Sequence, residues 1–198
     1  MYEQFRDIGR ALYLGGLVSS HAGNMSVRMG DRILITRRGS MVGRLKPDDL
    51  IETGLDADDA MVTLASSELI VHRAIYKATS ALAIVHTHPP HATAISLSQD
   101  AIVPVDSEGS YLLHKVPVVE AAKTIGSSDV AEVIPPALRD HKVAMLRGHG
   151  AFAVGELLEE AFMVTSSLEF SARILYLVRT LGGDLKEYRK SAERYDTW

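Results

Sequence analysis

Hydrophobic residues near the N-terminus recur at the spacing of a helix. Phe5, Ile8 and Leu12 are three or four positions apart, so they share one face of a helix. The glycine pair at residues 15–16 favours an end to that helix. The first predicted element is therefore an amphipathic helix.

The remaining elements follow from the same two periodicities. Apolar and polar residues alternate on either side of a Gly-Asp pair at residues 30–31, which is typical of a β-hairpin. The predicted strands are residues 24–28, 32–36, 81–85, 115–119, 143–146 and 151–154. The further predicted helices are one that begins at Ser66, one over 127–139 and a closing helix over 156–181 that stops at a glycine pair.

No repeat, low-complexity tract or linker interrupts the chain, so residues 1–198 are predicted to form a single α/β domain. A domain of this length buries roughly two-thirds of its unfolded surface. A metal is therefore not needed to hold the fold together, and we expect any metal here to serve function.

Composition excludes several classes of function. The chain has no cysteine, which excludes thiol nucleophiles, disulfide frameworks and cysteine zinc sites. Its 21 Lys and Arg residues against 25 Asp and Glu give a net charge of -4, so no nucleic-acid partner is expected. No uninterrupted apolar run has the ~20 residues that span a bilayer. We expect no membrane partner and a cytoplasmic location.

Histidines suggest a metal site. His86 and His88 follow the predicted strand 81–85 and are two positions apart, so their side chains point to the same face and could bind one ion. The same pattern also occurs on solvated strand ends. His149 lies between two glycines after another predicted strand, where the backbone can approach a ligand closely. Three neutral imidazoles would leave open positions for a substrate.

The other histidines are less well placed. His91 follows two prolines and is expected near the start of a helix. The remaining histidines have polar or helical surroundings and are expected on the surface or behind the site: His21, His72, His114 and His141.

Three segments could bind an anion. Ser66, Ser67 and Glu68 begin a predicted helix, where hydroxyl groups, free N–H groups and the helix dipole favour a phosphate, although an ordinary helix cap has the same sequence. Residues 22–26 and 36–40 are weaker candidates, and the second contains Arg38. A phosphate site beside a three-histidine metal would suit a small phosphorylated carbonyl compound.

A second metal interpretation is a JAMM-type metalloprotease. That pattern has a Ser eight positions after the second histidine, which Ser96 satisfies, and an Asp ligand three positions later. Gln99 occupies the Asp position and Asp100 is one place off. One residue turns a helical side chain by ~100°, so this interpretation is disfavoured.

Five segments in order resemble the class II aldolase/adducin family over about residues 1 to 182. They are Ala-Gly-Asn-Met-Ser at 22–26, Ile-Thr-Arg-Arg-Gly at 35–39, Ser-Ser-Glu at 66–68, His-Thr-His at 86–88 and Gly-His-Gly at 148–150. The resemblance implies an α/β domain with a central, mainly antiparallel β-sheet covered by helices on both faces. It also implies a homotetramer with active sites at the subunit interfaces.

The resemblance implies roles for individual residues. His86, His88 and His149 would bind one Zn²⁺ per chain, or another divalent ion such as Mn²⁺ or Co²⁺. Glu68 would be the catalytic acid/base. The substrate phosphate would be held by Asn24, Gly39, Ser66 and Ser67, with Arg38 as a further candidate.

The implied reaction is the reversible cleavage of a ketose 1-phosphate, similar to L-fuculose 1-phosphate, into dihydroxyacetone phosphate and an aldehyde. A metal-stabilised enediolate would be the intermediate, so no Schiff-base lysine is needed. Glu at position 68 favours an aldolase over a ribulose-phosphate epimerase, which tends to have Asp there, and is also found in methylthioribulose-phosphate dehydratases. An epimerase, a dehydratase and an adducin-like scaffold without catalysis stay as alternatives.

Two departures from the family pattern concern the phosphate loop and the proton donor for the aldehyde. The usual Thr-Pro-Thr-Gly loop is Thr-Arg-Arg-Gly at residues 36–39, so a guanidinium replaces a hydroxyl. Where the family has a tyrosine that protonates the aldehyde, this chain has Glu108, and Tyr111 lies out of register. Candidates for a C-terminal tyrosine of the family are Tyr188 and Tyr195.

Overall fold

The structure, a computed structural model, describes residues 1–182 and 184–186. In chain order, helices α1 to α6 are Tyr2–Leu14, Leu69–Ala78, Pro90–Ser96, Ser107–Leu112, Ser128–Ala137 and Leu158–Thr180. Strands β1 to β8 are Asn24–Met29, Arg32–Thr36, Leu50–Gly54, Ala83–Thr87, Ala101–Ile102, Val116–Val119, Val143–Leu146 and Gly150–Gly155. Short 3₁₀ helices occupy Val42–Arg44 and Pro47–Asp49.

All eight strands form one sheet in the order β3-β2-β1-β4-β8-β7-β6-β5. Every neighbouring pair is antiparallel except β6 and β7, which are parallel. The hairpin of β1 and β2 pairs Met29 with Arg32, so Gly30 and Asp31 form the two-residue turn. Gly30 has φ +66°, a conformation that favours glycine. The predicted hairpin and the mainly antiparallel sheet are confirmed.

Helices cover both faces of the sheet, as predicted. Successive strand residues face opposite sides. On one side Ile84 and Phe152 pack in a cluster with residues of α2 and α5. On the other side Val85 packs with α1, and Ala153 packs with α3 and α6. The candidate functional site lies at one end of the sheet face that α2 and α5 cover. His86 points to this face because it is two positions after Ile84 in β4.

Five features differ from the sequence prediction. Strand β4 is Ala83–Thr87 rather than residues 81–85, so His86 lies inside the strand. The short elements β3, β5 and α4 were not predicted, because a few residues carry too little periodicity to be recognised. Helix α2 begins at Leu69 rather than Ser66. Ser66 instead follows an isolated β-bridge between Arg37 and Ala65, and its N–H binds the Thr36 carbonyl oxygen at 3.1 Å.

Helix α6 is long and apolar enough to cross a membrane by length and composition. Nine of its side chains are nevertheless buried, including those of Val164, Leu168 and Ala172. These residues belong to the cluster that packs under β7 and β8. Helix α6 is therefore a core helix of this fold.

Candidate active site

Every residue that the sequence assigned to the site lines one cavity of about 180 Å³. The set is Asn24, Arg38, Gly39, Ser66, Ser67, Glu68, His86, His88 and His149. Antiparallel pairing explains part of this convergence, because Asn24 at the start of β1 lies opposite His86 near the end of β4. The turn after β2, the loop before α2, the end of β4 and the turn between β7 and β8 supply the rest.

His86 is held in one orientation by β8. Its Nδ1 atom donates a 2.9 Å hydrogen bond to the Ala151 carbonyl oxygen. A carbonyl oxygen only accepts, so the proton resides on Nδ1 and Nε2 keeps its lone pair. The Phe152 ring stacks on the imidazole with a centroid separation of 4.1 Å and an interplanar angle of 19°. The neighbouring strand therefore sets both the tautomer and the tilt of this ring.

The three imidazoles predicted to bind a metal converge. Nε2 of His86 lies 3.0 Å from Nε2 of His88, and one nitrogen from each ring, including His149, lies within 4.8 Å of the others. Gly150 permits this approach, because a Cβ atom there would clash with the Thr87 carbonyl oxygen. Among the described residues, these three histidines are the one group of three or more side chains that could bind a metal ion.

The surroundings keep these imidazoles neutral. Burial lowers the pKa of His86 well below its usual value, and the neighbouring His88 and His149 lower it further. Burial, assisted by His149, lowers the pKa of His88 to about 4. Burial also lowers the pKa of His149, against the opposing effect of the Thr124 backbone. Neutral imidazoles with converging lone pairs fit a divalent ion such as Zn²⁺.

Glu68 is a buried carboxylate, 3% exposed, at the start of α2. Its Oε1 atom accepts a 2.9 Å hydrogen bond from the Gly126 N–H, whereas its buried Oε2 atom has no hydrogen-bond partner in the described structure. Burial raises the pKa of this carboxyl, and the Gly126 N–H partly offsets that effect. Glu68 is therefore suited to exchange a proton with a substrate.

The predicted phosphate site combines two turns. Ser66 is buried and its Oγ atom accepts the Glu68 N–H at 3.3 Å, whereas Ser67 is exposed. Gly39 has φ +72° and lies in the turn that the Ser40 N–H closes onto the Arg37 carbonyl oxygen. These turns place hydroxyl and backbone groups along the same cavity wall.

Asn24 and Arg38 contribute different chemistry to that wall. The side chain of Asn24 is buried, and its Oδ1 atom has no hydrogen-bond partner among the described residues. Arg38 is exposed at the rim of the cavity. A buried acceptor and an exposed guanidinium together suit a ligand that has both hydroxyl and anionic groups.

Other candidates lie elsewhere. Glu108 and Tyr111 are exposed on α4 and do not line this cavity within one chain. Tyr188 and Tyr195 lie outside the described residues. His91 lies in the first turn of α3, as expected.

Several residues of the site were missed by the sequence analysis. His21 is exposed, as expected, but it also lines the cavity, which the sequence analysis did not predict. Ile125 also lines the cavity, and its neighbour Gly126 binds Glu68. The sequence signal for this loop was a glycine directly before the two serines at the start of α5, a pattern that indicates a turn into a helix. Its contact with Glu68 spans 58 residues, so no local pattern could reveal it.

Comparison with known families agrees with this geometry. The model for the class II aldolase and adducin N-terminal domain matches residues 3–176. This chain belongs to the class II aldolase and adducin family. Membership disfavours the metalloprotease interpretation, and the structure does likewise: the side chain of Asp100 is 96% exposed and pairs with Arg147.

Relatives within the class II aldolase family have more than one activity. The L-fuculose phosphate aldolase of Methanocaldococcus jannaschii is 35% identical over 176 residues, covering 88% of this chain and 95% of that protein. The 3-oxo-tetronate 4-phosphate decarboxylase of Haemophilus influenzae is 31% identical, covering 96% of this chain and 91% of that protein. The crystal structure of L-fuculose-1-phosphate aldolase from Thermus thermophilus matches with a TM-score of 0.88 at 40% identity, covering 93% of this chain and 97% of that one.

Proposed function

We propose that this protein is a metal-dependent aldolase that reversibly cleaves a ketose 1-phosphate, of the L-fuculose 1-phosphate type, into dihydroxyacetone phosphate and an aldehyde. One observation carries the proposal. The free Oε2 atom of Glu68 shares a small cavity with three converging neutral imidazoles and the serine pair before α2. An acid/base, a Lewis-acid site and a phosphate site are the parts that this reaction requires.

His86, His88 and His149 would hold one divalent ion, with Zn²⁺ as the first choice and Mn²⁺ or Co²⁺ as alternatives. When bound, such an ion supplies Lewis-acid stabilisation of the negative charge that develops beside a carbonyl group. The protein contributes the orientation of the ligands, through the Ala151 carbonyl oxygen and the Phe152 ring.

Glu68 would carry the proton transfer at carbon. When the carbon–carbon bond breaks, the electron pair remains on the dihydroxyacetone phosphate fragment, and protonated Glu68 delivers a proton to that carbon. The raised pKa favours the protonated form that this step needs. In the synthetic direction the carboxylate removes the same proton. Gly126 holds one oxygen so that the other faces the substrate.

The departing aldehyde needs a second group. Its hydroxyl must lose a proton as the carbonyl forms. Besides Glu68 and the three proposed metal ligands, the titratable side chains that line the cavity within the described residues are those of His21 and Arg38. Glu108 or Tyr111 from a neighbouring subunit is our candidate, with Tyr188 and Tyr195 as alternatives from the C-terminal residues. This assignment requires the proposed homotetramer, for which sedimentation is the test.

The phosphate would bind between the two turns. The hydroxyl groups of Ser66 and Ser67, the backbone at Gly39, the side chain of Asn24 and the guanidinium of Arg38 line this part of the cavity. Hydroxyl groups and backbone N–H groups near the start of a helix favour a dianion. We propose a small sugar phosphate as the partner in a cytoplasmic reaction that involves neither nucleic acid nor membrane.

The decisive experiment is a screen of ketose 1-phosphates, led by L-fuculose 1-phosphate, with release of dihydroxyacetone phosphate followed by phosphorus NMR. Release together with an aldehyde supports the aldolase. Inversion without cleavage would indicate the epimerase, and loss of water from methylthioribulose 1-phosphate would indicate the dehydratase.

A second candidate is decarboxylation of a 3-oxo-tetronate 4-phosphate. The observation in its favour is the decarboxylase relative, which covers 96% of this chain. Both reactions break a carbon–carbon bond beside a carbonyl group and leave an electron pair that must be protonated. The same site could serve either reaction, so a 3-oxo-tetronate 4-phosphate is added to the screen and carbon dioxide release from it is measured.

A further inference from the structure

The segment that carries His86 and His88 leaves the sheet through two prolines. The backbone N–H of His88 donates to the Leu17 carbonyl oxygen at 2.8 Å. Residues 89–90 have no backbone N–H to donate, because both are proline. The first main-chain donors that can anchor the segment beyond His88 are therefore those of residues 91–92.

Both of these N–H groups bind one carboxylate, that of Glu169 in α6. The His91 N–H lies 3.1 Å from each carboxylate oxygen, and the Ala92 N–H lies 3.1 Å from Oε2. The His91 Nδ1 atom lies 2.6 Å from Oε1 and donates to it. Glu169 is only 9% exposed, so these donors replace water around the carboxylate.

A second contact from the same face of α6 reaches the segment before His88. Thr165 lies one turn before Glu169, and its Oγ1 atom is 2.6 Å from Oγ1 of Thr87. Both threonines are fully buried. Because Thr87 lies between the two histidines, α6 holds the segment on either side of His88.

We propose that Glu169 is a positioning residue of the metal centre, which fixes the imidazole of His88 by anchoring the main chain that follows it. The inference rests on the proposed function, since it requires an ion at the histidine cluster. Without an acceptor at position 169, the backbone that follows His88 becomes more mobile. The His88 imidazole must then lose conformational entropy when the ion binds, which weakens the affinity for the metal. Outer partners of metal ligands typically change affinity by about 10–100-fold, and we expect a loss in this range.

The test compares two substitutions in the full-length chain. Glu169→Met keeps an unbranched side chain of similar length but removes the acceptor. Glu169→Gln keeps one carbonyl oxygen that can accept from both N–H groups. We expect zinc affinity, measured by competition with a chromophoric chelator, to fall about 10–100-fold in Glu169→Met and by less than about threefold in Glu169→Gln.

Cobalt spectroscopy separates positioning from a general loss of stability. We expect the visible absorption bands of the Co²⁺-loaded Glu169→Met protein to shift or broaden, and those of Glu169→Gln to match the parent. Glu159→Met, at an exposed position of the same helix, is the matched control and should change neither affinity nor spectrum. If Glu169→Met does not fold, Glu169→Asp replaces it, since its acceptor is withdrawn by one methylene group and affinity should again fall.

Parent-like zinc affinity and cobalt spectra in Glu169→Met, or in its Asp replacement, would overturn this inference alone. An equal loss in Glu159→Met would overturn it too, because the effect would then be unspecific. If the parent protein binds neither zinc nor cobalt, both the inference and the proposed metal site are wrong. A parent that binds zinc but releases no dihydroxyacetone phosphate contradicts the aldolase proposal only.

Discussion

The Gly126 N–H binds Oε1 of Glu68 at 2.9 Å, and Oε2 of the same carboxylate has no hydrogen-bond partner in the described structure. One donor thus orients the carboxyl group without occupying both of its oxygens. Burial disfavours its charge and raises its pKa. This asymmetry is what a group that both gives and takes a proton requires.

We therefore expect Glu68→Gln to abolish proton transfer while keeping the fold and the metal. The amide preserves an acceptor for Gly126 but removes the base. Hydrogen exchange of dihydroxyacetone phosphate in deuterated water, followed by proton NMR, should slow by about 10²–10⁴-fold. Glu132→Gln, on α5 away from the cavity, is the control. Undiminished exchange in metal-loaded Glu68→Gln would assign the base elsewhere, with Glu108 as the first candidate.

The rate of that exchange should also depend on pH through Glu68. Exchange needs the carboxylate, so kcat/KM is expected to fall as pH decreases through the pKa of Glu68. Since that pKa is raised, the fall should begin at a higher pH than for an exposed glutamate. A pH profile of the exchange rate checks this. A midpoint at or below the ordinary glutamate value of about 4.3 would contradict it.

Removal of any one predicted metal ligand should reduce metal content and activity together. His86→Ala, His88→Ala and His149→Ala each leave two imidazoles, too few for a stable open site. Elemental analysis of protein prepared without chelators should find about one divalent ion per parent chain and far less in each variant. His141→Ala, remote from the cavity, should retain the parent value. A metal-free parent that added zinc, cobalt and manganese neither bind nor activate would refute the site.

Phosphorylated ketoses should be far better substrates than the free sugars, because the cavity wall offers hydroxyl and backbone groups to a dianion. Ser67→Ala should raise KM for the phosphorylated compound about tenfold, the loss of one hydrogen bond to a charged group. Ser128→Ala, an exposed serine at the start of α5, is the control. Equal kcat/KM for a ketose with and without its phosphate would show that this wall does not bind phosphate.

The metal-free protein should lose stability in mild acid. Burial lowers the pKa of His72 to about 3, so below pH 6.5 the unfolded chain binds a proton that the folded chain does not. Each pH unit below that value lowers the free energy of unfolding by about 1.4 kcal/mol for each such histidine. His72→Asn, whose side chain can still form a hydrogen bond with Ser26, should weaken the dependence measured by urea unfolding between about pH 7 and pH 5.5. An unchanged slope would contradict this.

Local sequence determined much of the fold. Alternation around Gly30 and Asp31 was sufficient for the β1–β2 hairpin, since a two-residue turn fixes the register of its strands. The spacing of His86 and His88 was sufficient to place both imidazoles on one side, because strand residues alternate. Helix α2 shows the limit of such reasoning: its serines suggested a start at Ser66, but the Ser66 N–H binds the Thr36 carbonyl oxygen and the helix begins at Leu69.

Only the tertiary structure decided which groups meet. His149 reaches His86 and His88 because β8 pairs with β4, a contact between segments about 60 residues apart that no local periodicity encodes. The Gly126 donor for Glu68 and the Glu169 anchor beyond His88 arise in the same way, from loops and helices packed across the sheet. Sequence pattern specifies which face of an element is buried; long-range packing specifies what lies opposite it, and catalytic geometry depends on the latter.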